Sequence, residues 1–377
     1  MAEAVGSRLL DRMELDSVSS VLNTGDFFVT AGPVQPGRPC YIERDSDEAL
    51  SQALRDQSFC YVLGPRATGK TSLMARTIRL LRAEGQSAAV VDLAQIGARG
   101  ESEDPGRWYY GIAYRIVREL RLKVNLQRWW QDKSTLMGDE RLAEFFWEIV
   151  LTNTTVPVTI FFDEIERAVD LPFSKDLFTA IRSCYNSRTT EPDFGRLNLV
   201  VLGVATPQQL APDRTVSPFD LGTAIQLEDF SREQTYQLVP GFPTEKAHAR
   251  MLLDKIYRWV GGQPYLTQKI ARGVVRRGSR SEDVELMMHE RFLAPGARRE
   301  EPLLNHISTL LTRGAQRNRQ ALALLGSFGK GAQVPEDPVS VAQQLLRLAG
   351  LSSTDDEGML IVRNRLLSTV FNSRWVR

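Results

Sequence analysis

The sequence predicts an α/β fold: a parallel sheet covered by helices on both faces, followed by a mostly helical C-terminal half. Three observations carry this. Residues 59–63 (FCYVL), 88–93 (AAVVDL), 158–162 (VTIFF) and 197–205 (LNLVVLGVA) are short, largely apolar runs, the pattern of strands buried between two helical layers. Stretches with helical periodicity, at Lys70–Ala83, 108–122 and 175–185, alternate with them. After Asp229 the strand signals stop and helical ones continue.

Composition sets the outer limits. At 377 residues the chain exceeds one compact core, so two or three packed units are expected. Hydrophobic residues at 42% and charged residues at 25% are globular values and argue against disorder. A formal net charge of +1 gives no global attraction to nucleic acid or anionic membrane, so a DNA-binding role would need a local basic patch. Cys40, Cys60 and Cys184 are odd in number and widely spaced, which fits a reducing compartment rather than a disulfide framework. The first 17 residues are charged throughout, unlike a signal peptide. No run approaches the roughly 18 apolar residues of a spanning helix. The expectation is a cytoplasmic protein with no membrane segment.

Taken in order, residues 1–45 read as an N-terminal linker, punctuated by Gly32-Pro33 and Pro36-Gly37. A helix is expected over 46–55, then the first strand, a glycine-rich turn and the helix from Lys70. The α/β core spans 46–230. Helical segments at 231–238, 248–260 and Pro264–Arg277 form a helical lid over 231–310. Residues 311–377 read as helix, turn and helix, with a short strand at 359–362 after Asp355-Asp356-Glu357-Gly358, the outline of a winged-helix domain.

The turn after the first strand is Gly64-Pro65-Arg66-Ala67-Thr68-Gly69-Lys70-Thr71, which satisfies G-x-x-x-x-G-K-[ST] in the strand–loop–helix context that this motif requires. Its glycines let backbone N–H groups face phosphates, and the helix N-terminus adds a positive dipole end. Lys70 suits the β- and γ-phosphates, the Thr71 hydroxyl suits Mg2+, and Ser72 continues the helix's first turn. The run Phe161-Phe162-Asp163-Glu164 ends a buried strand in two carboxylates, a Walker B signal. Asp163 suits magnesium and Glu164 the base that orients an attacking water. Thr206 follows the fourth apolar run, and two readings stand side by side: a hydroxyl that senses the γ-phosphate, or a helix cap before Pro207. Gly261-Gly262-Gln263-Pro264 breaks two helices and could present an apolar face to adenine. Lys269, Arg272, Arg276 and Arg280 share one helix face, read first as solvated and second as a surface for an acidic partner or nucleic acid. The aromatic groups at 108–110, 129–130 and 145–147 read as core. His248, His289 and His306 have no ligand spacing.

Several stretches together resemble the bacterial AAA-like ATPase domain that lies N-terminal to repeat or effector modules. They are GPRATGKTSLM (64–74), FFDEIE (161–166), LPFSKDLF (171–178), LGVATPQQL (202–210), GGQPYLTQK (261–269) and VRNRLLSTVFNSRWV (362–376). Phe28-Val29, Gly32-Pro33 and Tyr41-Ile42-Glu43-Arg44 extend the similarity upstream. The resemblance implies a P-loop NTPase parallel-sheet core with a helical lid and a C-terminal winged-helix domain, as in STAND signalling ATPases and origin-recognition-type AAA+ ATPases. It implies ATP or ADP with Mg2+ as ligand, with Ile42, Glu43, Arg44 and Pro264 on the adenine side. Arg182 is a candidate arginine finger. The expected function is a slowly hydrolysing ATPase switch controlling oligomerisation with itself, or an effector or sensor region in cis or in trans. The alternatives are a DNA-binding AAA+ protein acting through its winged helix, with nucleic acid the less favoured partner, and a nucleotide-stabilised scaffold without turnover. The chain is expected to be the N-terminal part of a longer protein or a short stand-alone member.

Overall fold

A strand that is apolar on both faces must be covered twice, and the sheet is built accordingly. The computed structural model describes residues 27–96, 104–169, 171–213, 215–313, 318–328 and 331–376; residues 1–26 of the expected N-terminal linker lie outside them. Strands β1 (Cys60–Leu63), β2 (Ser87–Asp92), β3 (Val158–Asp163), β4 (Leu197–Gly203) and β5 (Thr223–Ala224) form one sheet in the order β2-β3-β4-β1-β5. All pairings are parallel. The first four match the predicted runs closely. Two-residue β5 is too short for any pattern to reveal.

Alternation along β3 sends Ile160 and Phe162 into one apolar layer and Phe161 into the other. Helices α1 (Asp45–Arg55) and α2 (Lys70–Ala83) cover the Phe161 face with Leu50, Leu54, Leu73 and Ile78. Helices α3 (Pro105–Glu119) and α4 (Ser174–Asn186) cover the opposite face. There the predicted aromatic core forms from Trp108, Tyr109, Trp130, Phe145 and Phe146. Tyr109 keeps its phenol satisfied by donating to the Phe173 carbonyl at 3.1 Å.

The decisive feature of the topology is the insertion of β4 between β1 and β3. It brings three strand ends, at Leu63, Asp163 and Gly203, to one edge of the sheet. Gly64 N–H donates to the Gly203 carbonyl at 3.0 Å, which joins the phosphate-loop turn to the end of β4.

The C-terminal half is helical. It contains α5 (Lys246–Val260), α6 (Pro264–Arg277), α7 (Pro302–Thr312), α8 (Arg319–Phe328) and α9 (Val341–Leu348). An antiparallel hairpin of β6 (Ser352–Thr354) and β7 (Leu360–Val362) follows, and then α10 (Arg365–Val370). One apolar core runs through all of it, from Leu252 and Ile270 to Leu346 and Phe371. The N-terminal segment from Phe27 carries no helix or strand before Asp45, yet Phe27, Phe28, Cys40 and Ile42 are buried in this same core. It is a packed strap. The hairpin closes back on the junction between the two halves. Arg363 donates to both Asp229 oxygens at 2.7 and 2.6 Å, and Asn364 donates to the Val260 carbonyl at 3.1 Å.

Candidate nucleotide site

The turn between β1 and α2 is held open by its own backbone. Ala67 has φ +64° and Gly69 φ +99°, left-handed values that tolerate glycine best. A side chain at Gly69 would also meet Arg44 Nη2 at 2.9 Å. Arg44 is buried, donates to the carbonyls of Thr68 and Glu228 at 2.9 Å each, and lies over the Phe230 ring. The Thr68 hydroxyl donates to the Pro65 carbonyl at 3.1 Å. Helix α2 begins at Lys70 without a side-chain cap, so its first-turn N–H groups remain available to an anion. Lys70 folds back to donate to the carbonyls of Gly64 (2.9 Å) and Pro65 (2.6 Å). Burial lowers its pKa to about 8, against the opposing pull of Glu166, Asp163 and Glu164.

Opposite the loop stands the end of β3. Asp163 Oδ2 accepts from the Thr71 hydroxyl at 3.2 Å, and Oδ1 accepts from Glu164 N–H at 2.9 Å. Burial raises the Asp163 pKa although both bonds favour the carboxylate. Glu164 takes a left-handed turn at φ +55° and borders the cavity, with its carboxylate 4.0 Å from the Arg167 guanidinium; burial, then Glu166, raises its pKa. A third acid, Glu166, was not singled out from sequence. It accepts from Val204 N–H at 2.9 Å and so links the ends of β3 and β4. Its signal was present in FFDEIE, two residues beyond Glu164.

The helical half supplies the other wall. Gly262 (φ +78°) lies against the Phe230 carbonyl so closely that a Cβ would sit 1.9 Å away. Gln263 caps α6 through Leu266 N–H at 2.7 Å and reaches across to donate to the Ala67 carbonyl at 2.9 Å. Gln268 accepts from Val29 N–H at 2.9 Å and donates to the Cys40 carbonyl at 3.2 Å, which fixes the strap. Val34 N–H in turn donates to the Ser72 hydroxyl at 2.9 Å. Strap, phosphate loop, strand ends and helical half thus enclose one cavity of about 570 Å³, within the range of small-molecule sites.

Of the residues singled out from sequence, Ile42, Arg44, Arg66, Ala67, Gly69, Lys70, Thr71, Ser72, Asp163, Glu164 and Pro264 line this cavity. Thr68 is buried behind the loop. Glu43 is turned to the surface, where it pairs with Arg76. Gly64 and Pro65 face a second cleft, shared with Thr206. The Thr206 hydroxyl accepts from Gln209 N–H at 3.2 Å as the cap of Pro207–Leu210, which begins beyond the end of β4 at Gly203. Arg182 bonds the Ser217 carbonyl and borders a different cleft. On the basic face of α6, Lys269 pairs with Glu301, Arg272 bonds the Thr30 hydroxyl at 2.6 Å, and Arg280, beyond the helix end, pairs with Asp283 at 3.1 Å.

A parallel sheet in this order, with a phosphate loop after β1 and acidic residues after β3, defines an AAA-like P-loop ATPase fold. The sequence pattern of the AAA-like domain family matches residues 29–371, and the chain belongs to that family. It is similar to an uncharacterised WD repeat-containing protein of Synechocystis sp., with 32% identity over 366 residues, 93% of this chain. The chain spans 30% of that relative's length. Among solved structures it resembles the Walker-type ATPase PABY2304 of Pyrococcus abyssi (TM-score 0.63, 13% identity, 92% of this chain and 99% of that one). It also resembles the ORC2 protein of Aeropyrum pernix in its ADPNP-ADP complexes (TM-score 0.52, 13% identity, 93% and 97%). At such identities these likenesses speak for the fold. Among the described residues, no helix is long and apolar enough to cross a membrane.

Proposed function

We propose that this chain binds ATP or ADP with Mg2+, hydrolyses ATP slowly, and acts in the cytoplasm as a switch whose nucleotide state sets the arrangement of core and helical half. The observation that carries the reading is the shared cavity. The phosphate loop (Arg66, Lys70), the strap (Val29, Ile42) and the helical half (Pro264, Tyr265) line it together. A ligand that touches all three has different contacts when they separate, and differential affinity is what a switch requires. Inverting a population from 1:99 to 99:1 takes roughly 5.5 kcal/mol of such difference.

In this reading Lys70 and the first turn of α2 hold the phosphates, while Ile42 and Pro264 flank the base. Glu164, with its pKa raised by burial, orients and deprotonates the attacking water. Thr71 and Asp163 fit a magnesium ion: the donors are hard oxygens and one is a buried carboxylate. Magnesium commonly takes one or two protein ligands and completes its shell with phosphate and water. Bound there, it would neutralise charge on the β- and γ-phosphate oxygens. The proposed divisions are a core over 46–230, a lid over 231–310 and a winged-helix domain over 311–377, with the upstream strap serving the adenine side. The WD-repeat relative supports an effector or sensor region as the partner of the switch, beside self-association. Lys269, Arg272 and Arg280 pair within the protein, while Arg276 borders a cleft with Arg277 and Arg291, and the DNA-binding reading stays second to the switch.

The test is the nucleotide carried by the purified protein, released by denaturation and identified by ion exchange, with Lys70→Ala alongside and size measured with and without Mg–ATP. Near-stoichiometric ADP or ATP, absent from the variant, together with a nucleotide-dependent change of size supports the switch. An empty protein that added Mg–ATP does not load refutes it.

A further inference from the structure

The basic face of α6 forms one side of a cleft. Lys269, Arg272, Arg276 and Arg277 follow one another along the helix. Arg291 is brought to the same hollow from the turn His289–Leu293, which continues helix Asp283–Met288. The cleft measures about 430 Å³, within the range of small-molecule sites. Like charges three and four residues apart on a helix are destabilising, and a solvated face needs no second element to add a fifth cation.

The acids nearby do not balance this charge. Glu300 and Glu301 line the cleft, and Glu290 pairs with Arg277, so five cations meet three carboxylates and a net charge of +2 remains. Glu301 is buried and committed to Lys269. Arg276 and Arg291 are exposed, and neither enters an ion pair among the described residues. A guanidinium offers its N–H donors as a planar fork, which matches two oxygens of a phosphate.

The cleft and the nucleotide cavity share a wall. Thr30 of the strap lines both, and Arg272 donates to its hydroxyl at 2.6 Å. Lys269, on the cleft side, donates to the Tyr265 hydroxyl at 2.8 Å, and Tyr265 lines the cavity. Tyr265 in turn donates to Glu301 at 2.8 Å, and Glu301 accepts from the N–H of Leu303, another cavity residue, at 3.4 Å.

We propose that this cleft is a second ligand site, taking a compact anion with two phosphate groups, and that its occupancy weakens nucleotide binding in the adjoining cavity. The sign follows from two effects that act together. An anion draws Arg272 from Thr30 and Lys269 from Tyr265, which loosens the shared wall, and its charge lowers the positive potential that attracts the nucleotide's phosphates. The cleft stands by itself as a site; its coupling rests on the nucleotide-binding reading above.

Calorimetric titration of Lys70→Ala with inorganic pyrophosphate in excess Mg2+ reads the cleft with the phosphate loop disabled. Saturable binding of one pyrophosphate is expected. Arg276→Gln with Arg291→Gln, added to that background, should weaken it about ten- to hundredfold, and Arg276→Lys with Arg291→Lys should recover part of the loss. Titration of otherwise wild-type protein with a fluorescent ADP reads the coupling. Pyrophosphate should weaken ADP about fivefold or more, to a plateau, and the two glutamine substitutions should abolish this shift without changing ADP affinity in its absence. No pyrophosphate bound by Lys70→Ala, or equal binding after the glutamine substitutions, overturns the site. So does a short DNA duplex that binds more tightly than pyrophosphate and with steep salt dependence. Weakening that grows without a plateau is competition at the phosphate loop and overturns the coupling. Failure of wild type to bind ADP overturns the nucleotide reading and the coupling with it, while pyrophosphate binding by Lys70→Ala still upholds the cleft.

Discussion

Replacing Arg363 with alanine should open the hairpin from the rest of the molecule while leaving the sheet intact. The guanidinium donates two bonds, of 2.7 and 2.6 Å, to a single carboxylate. The side chains of Arg363 and Asp229 are only 11% and 19% exposed. That burial places the pair outside the regime of surface ion pairs, which contribute about 0–1 kcal/mol. Removing one member of a buried pair costs roughly 3–5 kcal/mol, because the other charge stays uncompensated. Taking the lower end for partial exposure, about 3 kcal/mol corresponds to a roughly 150-fold larger opening constant. The loss should be local. Arg363 N–H donates to the Leu351 carbonyl at 2.8 Å, and its neighbour Asn364 bonds Val260, whereas β1, β3 and β4 have separate apolar layers. Hydrogen–deuterium exchange resolves this directly. Amides of residues 351–363 should exchange about a hundredfold faster in Arg363→Ala, and those of β3 should not change. A cycle with Asp229→Ala should show a coupling of about 2 kcal/mol or more. Additive single effects, or exchange that rises uniformly through the sheet, would refute the idea of a latch.

Three further outcomes follow from the site. Glu164→Gln should retain nucleotide binding while phosphate release falls by about 10²–10⁴-fold, the usual contribution of a general base; undiminished release would remove Glu164 from that role. Gly262→Ala should destabilise far more than Gly278→Ala in thermal melts. Both have positive φ, but only at Gly262 would the new methyl meet a carbonyl, at 1.9 Å, while Gly278 has nothing within 4 Å; the strain alone costs about 1–2 kcal/mol. Triphosphate affinity should depend on pH through Lys70. Burial sets its pKa at about 8 in the nucleotide-free protein, and phosphates favour the charged form. Affinity is therefore fully present below pH 8 and falls about tenfold per unit above it. Fluorescent-nucleotide titrations from pH 7 to 9.5 that stay flat would contradict this.

Contiguous chemistry was legible along the chain. A phosphate loop needs consecutive backbone N–H groups with glycine at a left-handed position, so residues 64–71 could be read directly, and Gly69 has the conformation that requires it. Continuous burial of β3 made its two terminal acids stand out, since a charge after VTIFF must lie at a strand end. Helix α6 was placed from Pro264 to Arg277 because proline starts and glycine ends a helix by local rules. Thr206 shows where local reading divides: a hydroxyl before proline can cap a helix or meet a ligand, and the structure shows it accepting from Gln209 N–H as a cap.

Contacts between distant segments became visible only in the folded chain. The order β3-β4-β1 brings Asp163 to Thr71, yet nothing in those runs states which strand neighbours which. Gln263 on Ala67, Gln268 on Val29 and His306 beside the phosphate loop are ordinary polar residues in the sequence. The strap read as a linker because prolines and glycines mark irregular backbone, and its backbone is irregular; its burial comes from Phe28 and Ile42 meeting a core formed more than 180 residues later in the chain. Side-chain pattern encodes a residue's local conformation and its need for burial. The partner that meets that need is fixed only when the whole chain closes, because it depends on complementary surfaces far apart in sequence.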